Sequence, residues 1–186
     1  MPYLAAGDFD IAYHYKGGST SLRTALGMPA KYSGRHMPRQ GVKDIRLILR
    51  NPRDRLNSWL KMKKREYPHT FSAEQEVKKM LNGHNPHWNP VIPAFTRSGV
   101  LVPTSVVRLE DIEAWWPVWF PDVPLRHENK TESEDLIGPY IHYFDISHKE
   151  DYDVWNAISS GMSLRLTPGN SLGSWLGIPT TLTDTK

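Results

Sequence analysis

Hydrophobic positions along the chain fall into short runs of two periods, and these place the elements. From Phe9 to Tyr15 apolar and polar residues alternate, with aromatic and β-branched side chains enriched, which predicts a strand. Lys16-Gly17-Gly18-Ser19-Thr20-Ser21 follows as a turn, and Leu22 to Leu26 reads as a helix with Ser19 or Ser21 as N-cap. Ala30 to Val42 is a polar, irregular connection. Asp44 to Arg50 holds Ile45, Leu47, Ile48 and Leu49, the near-continuous apolar run of a buried parallel strand. Asn51 then caps a helix with Pro52 at its first position and Asp54 in its first turn, and Leu56, Trp59 and Leu60 form its apolar stripe.

Ser72 and Gln75 form a capping box for a further helix running to Asn82. His84 to Pro93 is a loop, Ser105 to Leu109 a third strand, and Glu110 to Trp116 a short helix stopped by Pro117. Glu132 to Phe144 reads as helix interrupted at Gly138-Pro139, and Asp151 to Ser160 as the last helix. From Thr167 the chain is rich in Gly, Pro, Ser and Thr, which predicts an extended or loosely ordered tail over 167–186. Alternating strands and helices indicate an α/β fold with a central parallel sheet flanked by helices, and ligands at the carboxyl ends of its strands. The loops after Tyr15 and after Arg50 both fall at such ends.

Composition narrows this picture. A length of 186 residues suits a single domain spanning 1–186. There is no cysteine, which excludes disulfides and thiolate metal sites. No apolar run approaches the roughly 20 residues that span a bilayer. Met1 to Asp10 lacks the basic and apolar regions of a signal peptide, so a cytoplasmic protein with no membrane partner is expected. The net charge of +3 is unevenly placed. Lys43, Arg46, Arg50, Arg53, Arg55, Lys61, Lys63, Lys64 and Arg65 fall in one block whose only acids are Asp44 and Asp54. Such a block implies an anionic partner.

Two segments carry the chemistry. In Lys16-Gly17-Gly18-Ser19-Thr20-Ser21 the glycines let the backbone approach a ligand, the helix start supplies N–H groups, three hydroxyls add donors and Lys16 adds charge. These are the parts of a phosphate- or sulfate-binding loop, although the pattern is not a Walker A loop. In Arg50-Asn51-Pro52-Arg53-Asp54-Arg55-Leu56-Asn57-Ser58 a phosphate would meet a helix start and a guanidinium fork, with Ser58 two turns into the helix. Taken singly, the first reads equally as a Gly-Ser turn and the second as a salt-bridged arginine on a solvated helix.

Together, Tyr-Lys-Gly-Gly-Ser-Thr-Ser-Leu and Arg-Asn-Pro-Arg-Asp-Arg-Leu-Asn-Ser resemble the 5′-phosphosulfate loop and the 3′-phosphate motif of sulfotransferases, in particular the carbohydrate sulfotransferase branch. Val106-Val107-Arg108-Leu109-Glu110 and His127-Glu128-Asn129 resemble later segments of the family, so the likeness extends over about residues 9 to 155. It implies a P-loop-like nucleotide-binding architecture and the donor 3′-phosphoadenosine 5′-phosphosulfate (PAPS), leaving 3′-phosphoadenosine 5′-phosphate (PAP). It implies that Lys16, Gly17, Gly18, Ser19, Thr20 and Ser21 cradle the 5′-phosphosulfate, that Lys16 neutralises charge during transfer, and that Arg50 and Ser58 hold the 3′-phosphate. Asn129, Lys130 and Ser133 would approach the nucleotide.

The acceptor would carry a hydroxyl, as a carbohydrate does, and nucleic acid is not expected to bind. His36 would be the general base by its place between the two motifs, with His14 and Glu110 as alternatives. The chain departs from the family in its shortness and in lacking the glycine-rich C-terminal segment of cytosolic members. Two other functions compete: a nucleic-acid or polyanion-binding module built on the basic helix, and a nucleotide-binding protein of the same fold that no longer turns over. His84, His87 and the upstream His69 make a weak metal set, and His87 with Trp88 reads instead as the lining of an acceptor cleft. Trp115, Trp116 and Trp119 read as core, and Lys61 to Arg65 as a solvated helix face.

Overall fold

The computed structural model describes residues 2–16, 18–29, 34–35, 37–83, 87–93, 104–125, 134–158, 162–165 and 179–181. The alternating run forms strand β2 (Phe9–Tyr13), and the apolar runs form β3 (Ile45–Leu49) and β4 (Ser105–Arg108). These three are neighbours and parallel, with Ala12 opposite Leu47 and Leu47 opposite Val106. Their apolar residues face helices on both sides, as buried parallel strands require.

The sheet is nonetheless mixed. A strand not read from the sequence, β1 (Tyr3–Ala6), pairs antiparallel with β2 through a turn at Gly7. Four residues with two alanines carry no period, and what makes them a strand is burial against β2. At the other side β5 (Met162–Arg165) and β6 (Pro179–Thr181) add antiparallel, giving the order β1-β2-β3-β4-β5-β6. The parallel arrangement therefore holds for the centre only. Part of the expected tail, Pro179–Thr181, is an edge strand.

Side chains alternate between two layers. Ile11, Tyr13, Ile48 and Val107 pack under Leu22 of α1 (Ser19–Ala25) and under Ile112, Trp115 and Trp116 of α4 (Ile112–Trp119). Ala12, Leu47, Leu49 and Val106 pack under Val91, Ile92 and the α5 residue Val154, with α5 spanning Lys149–Ala157. A third cluster joins Leu56, Trp59 and Leu60 of α2 (Pro52–Glu66) to Val77 and Met80 of α3 (Ala73–Asn82). Two of the three expected caps form: Asn51 Oδ1 accepts the Arg53 N–H at 2.9 Å and Ser72 Oγ accepts the Gln75 N–H at 3.4 Å, whereas the N-cap of α1 is Gly18 rather than Ser19 or Ser21, with no side chain capping that end.

Pro117 does not stop its helix, which runs through it to Trp119. A helix-interior proline costs about 3 kcal/mol, whereas burying Trp115 and Trp116 gains roughly 8–12 kcal/mol by area, so packing wins. Within the segment expected as helix up to Phe144, the described structure is a 3-10 turn, Gly138–Tyr143. Proline at its second position lacks a donor N–H, and Asp135 accepts the Gly138 N–H just upstream.

The most demanding contact lies between α2 and α5. Arg55 is 1% exposed and Asp151 is fully buried. Arg55 Nη1 donates to the Asn89 carbonyl at 3.0 Å and Nη2 to Asp151 Oδ2 at 3.4 Å. The same carboxylate accepts the N–H groups of Val91 and Ile92. Burial pushes the Asp151 carboxyl above its ordinary value and holds Arg55 below its own. Beside them His148 donates Nε2–H to the Trp88 carbonyl at 2.7 Å, and its Nδ1 lies 2.9 Å from Ser147 Oγ. Three side chains thus hold the strap at residues 88–92 onto the helices.

Asp151→Ala should cost about 3–5 kcal/mol in urea unfolding, because it strands a buried guanidinium. Stability should also depend on pH. Burial first, and Arg55 second, push His148 down to about 4, and burial lowers His14 as well. The unfolded chain takes up these protons first, near the ordinary value of about 6.5. Stability should therefore be full above that value and fall as pH drops toward 4. His148→Gln should flatten part of this slope in unfolding midpoints measured across pH 7 to 4, leaving the His14 contribution.

Candidate functional site

Because β2 and β3 are parallel neighbours, the loops that leave their carboxyl ends emerge side by side. The consequence is a direct contact between segments 34 residues apart in sequence: Arg50 Nη1 donates to the Lys16 carbonyl at 2.8 Å. Lys16 sits at φ 64°, in the left-handed region, and Gly18 at φ 77° is the N-cap of α1. A non-glycine residue held there stores roughly 1–3 kcal/mol and is found where the surroundings over-determine the backbone. Gly18 is also closely covered, since a Cβ would lie 2.6 Å from Leu109 Cδ1.

The Lys16 ammonium turns toward α2 and meets the Met62 sulfur at 2.6 Å. A thioether is a weak acceptor for a full charge. Burial lowers the Lys16 pKa, the cations Arg65, Arg50 and Lys63 add to this, and Glu66 opposes it. Arg50 is likewise lowered mainly by burial, with Asp54 and Glu110 acting the other way. Among the described residues Arg50 forms no ion pair within 4 Å of an acid, so the salt-bridged alternative for it is not what the structure holds. Two cations at the carboxyl ends of adjacent strands thus have a carbonyl and a sulfur as their protein partners. Such a pair can accept an anion with little competition from protein carboxylates.

Of the loop residues, Ser19, Thr20 and Ser21 form the first turn of α1 and are half-buried. Ser58 lies on α2 and is half-buried. The start of α2 is self-capped by Asn51, whose own N–H donates to Glu110 Oε1 at 3.1 Å. Glu110 Oε2 accepts the Trp155 indole N–H at 3.2 Å. Both Glu110 oxygens are thus engaged in joining α2 to α5, which argues against its use as a base. His14 is buried, hydrogen-bonded at Nδ1 to the Tyr15 carbonyl, and driven well below its ordinary pKa by burial and by Arg55. Gly17, His36, Asn129, Lys130, Ser133 and His84 lie outside the described residues. Next to His36, Arg35 exchanges backbone hydrogen bonds with Tyr3 beyond the free side of β1.

Two features of this region escape the sequence reading, and a third, His87, is read there only as the lining of an acceptor cleft. Met62 is the ammonium's partner, and nothing in a basic helix marks a methionine for that role. Arg55 is buried on the apolar stripe. Its spacing from Leu56, Trp59 and Leu60 was the available signal, since an arginine on such a stripe requires a buried acid. His87, at the start of the strap, comes to the phosphate-type loop. Its ring lies 4.2 Å from that of Tyr15 and 4.6 Å from that of Trp59, centroid to centroid. Burial, then Lys16 and Lys63, hold its pKa below the ordinary value.

Gly18→Ala tests the strained turn. The left-handed backbone alone should cost at least about 1 kcal/mol in unfolding experiments, with the Leu109 contact adding to it. Gly27→Ala, at a similar φ of 66° with open space around it, supplies the control for backbone strain without crowding.

The chain matches no protein-family model, no curated protein and no solved structure, so the functional reading rests on the residues and their geometry.

Proposed function

We propose that the chain is a PAPS-dependent sulfotransferase that moves a sulfuryl group onto an acceptor hydroxyl, with a carbohydrate as the expected acceptor class. The observation that carries this reading is the meeting of Arg50 with Lys16, which joins the two anion-binding segments in one place. A donor with separate 5′-phosphosulfate and 3′-phosphate groups needs two such segments at one sheet end, and the succession of β2, loop and α1 is consistent with the first. In this reading Lys16 leaves Met62 for the phosphosulfate. Gly17, Gly18, Ser19, Thr20 and Ser21 line that group, and Arg50 and Ser58 take the 3′-phosphate. The motif order offers His36 as a candidate for the base. No helix among the described residues is long and apolar enough to cross a membrane, and a cytoplasmic location is part of the proposal.

Transfer by in-line displacement needs positioning and charge neutralisation more than covalent catalysis. The acceptor oxygen forms a bond to sulfur while the bond from sulfur to the bridging phosphate oxygen breaks. Its electron pair departs with PAP, where the Lys16 charge stabilises it. The exposed basic residues Lys64, paired with Glu134, and Arg65 continue from the site along α2. They favour an acidic acceptor and are also what a polyanion-binding module would display.

Calorimetry should show PAP binding at least about tenfold more tightly than AMP, since a charge-assisted phosphate contact contributes about 1.5–3 kcal/mol. Arg50→Ala should remove most of that preference with the unfolding midpoint nearly unchanged. Equal affinity for PAP and AMP in the parent protein would overturn the assignment.

A further inference from the structure

The structure places one imidazole against the loop that would carry the sulfuryl group. His87 is half-buried between the rings of Tyr15, immediately before Lys16, and Trp59, one turn before Met62 on α2. The sandwich fixes the plane of the ring. The strap that bears it is fixed in turn, because the carbonyls of Trp88 and Asn89 and the N–H groups of Val91 and Ile92 are all held by His148, Arg55 and Asp151. A second observation marks the same spot as incomplete. The Trp59 side chain is 5% exposed, and its buried indole N–H has no hydrogen-bond partner among the described residues. A buried donor left unpaired is costly and is found where something else is meant to bind.

Resting on the sulfotransferase reading above, we infer that His87 is the general base that takes the acceptor's hydroxyl proton, and that the Tyr15–His87–Trp59 stack is the floor of the acceptor site. The acceptor O–H gives its proton to the unprotonated ring nitrogen as its oxygen bonds to sulfur. The electrons of the breaking sulfur–oxygen bond leave on PAP, and His87 later returns the proton to solvent. The charged and titratable groups that face the ring are Lys16 from the loop, Lys63 and Glu66 from α2, and His14 behind it. The two lysines and burial keep the imidazole neutral at pH 7, the form a base requires.

The test compares the full chain with His87→Gln, His87→Phe and His36→Ala. PAP affinity is measured by calorimetry, and PAPS consumption is measured with water, phenol and N-acetylglucosamine as the offered hydroxyls. His87→Phe keeps an aromatic ring in the stack and removes both ring nitrogens, so it separates chemistry from packing. Both His87 variants should bind PAP like the parent and consume PAPS slower by on the order of 10²-fold or more. The parent's rate should fall only as pH drops below about 6.5. Retained turnover in either His87 variant, a loss confined to His36→Ala, a loss of PAP binding in both His87 variants, or a parent that binds PAP without consuming PAPS would each overturn the assignment. A parent that fails to bind PAP would instead overturn the sulfotransferase reading beneath it.

Discussion

A guanidinium taken wholly out of water must be compensated on every side, and Arg55 sets that condition on the fold. Its partners are the Asp151 carboxylate from α5 and the Asn89 carbonyl from the strap, so one side chain ties two segments to α2. The same carboxylate holds the next two N–H groups of the strap. An ion pair of this kind adds little net stability over apolar residues, because desolvation offsets most of the attraction. What it does is penalise every arrangement that separates the partners. The strap cannot shift without leaving a buried charge, and His87 is its first described residue.

The second constraint is the parallel pairing of β2 with β3. It brings two loop starts to one end of the sheet without any specific side-chain attraction between them. Register then matters, because Tyr13 lies opposite Ile48 and the chain turns out of each strand within two or three residues of that pair. Lys16 and Arg50 consequently lie within contact distance, through a carbonyl rather than an acid. Cations concentrated at strand ends without carboxylate partners form a region of positive potential, and the basic second half of α2 extends it.

Antiparallel strands on both flanks complete the sheet at modest cost. β1 reaches β2 through a tight turn, and the Asp10–Arg39 pair locks the long connection after α1 onto that hairpin. Arg39 donates Nε–H to the Asp10 carboxylate and also reaches the carbonyls of Gly7 and Phe9. Met28 and Val42 pack against the core near the two ends of the connection, and these bonds add to that in giving it a fixed course where it is described.

Hydrophobic period alone determined the three central strands, α2 and α3, because each buries a stripe or face and carries its own cap: Asn51-Pro52 for one helix, Ser72 for the other. The loop after β2 and the strand-end arginine with its capped helix were legible for the same reason, since both are set by local backbone. The elements that have no period of their own were decided by tertiary contacts. β1 exists by pairing, β6 by its place beside β5, and α4 passes Pro117 because two buried tryptophans outweigh one lost hydrogen bond. The same holds for Met62 beside Lys16, Asp151 beside Arg55 and His87 beside Tyr15. Each partner lies tens of residues away in sequence, and what puts it there is the burial of other side chains, which no local pattern around it records.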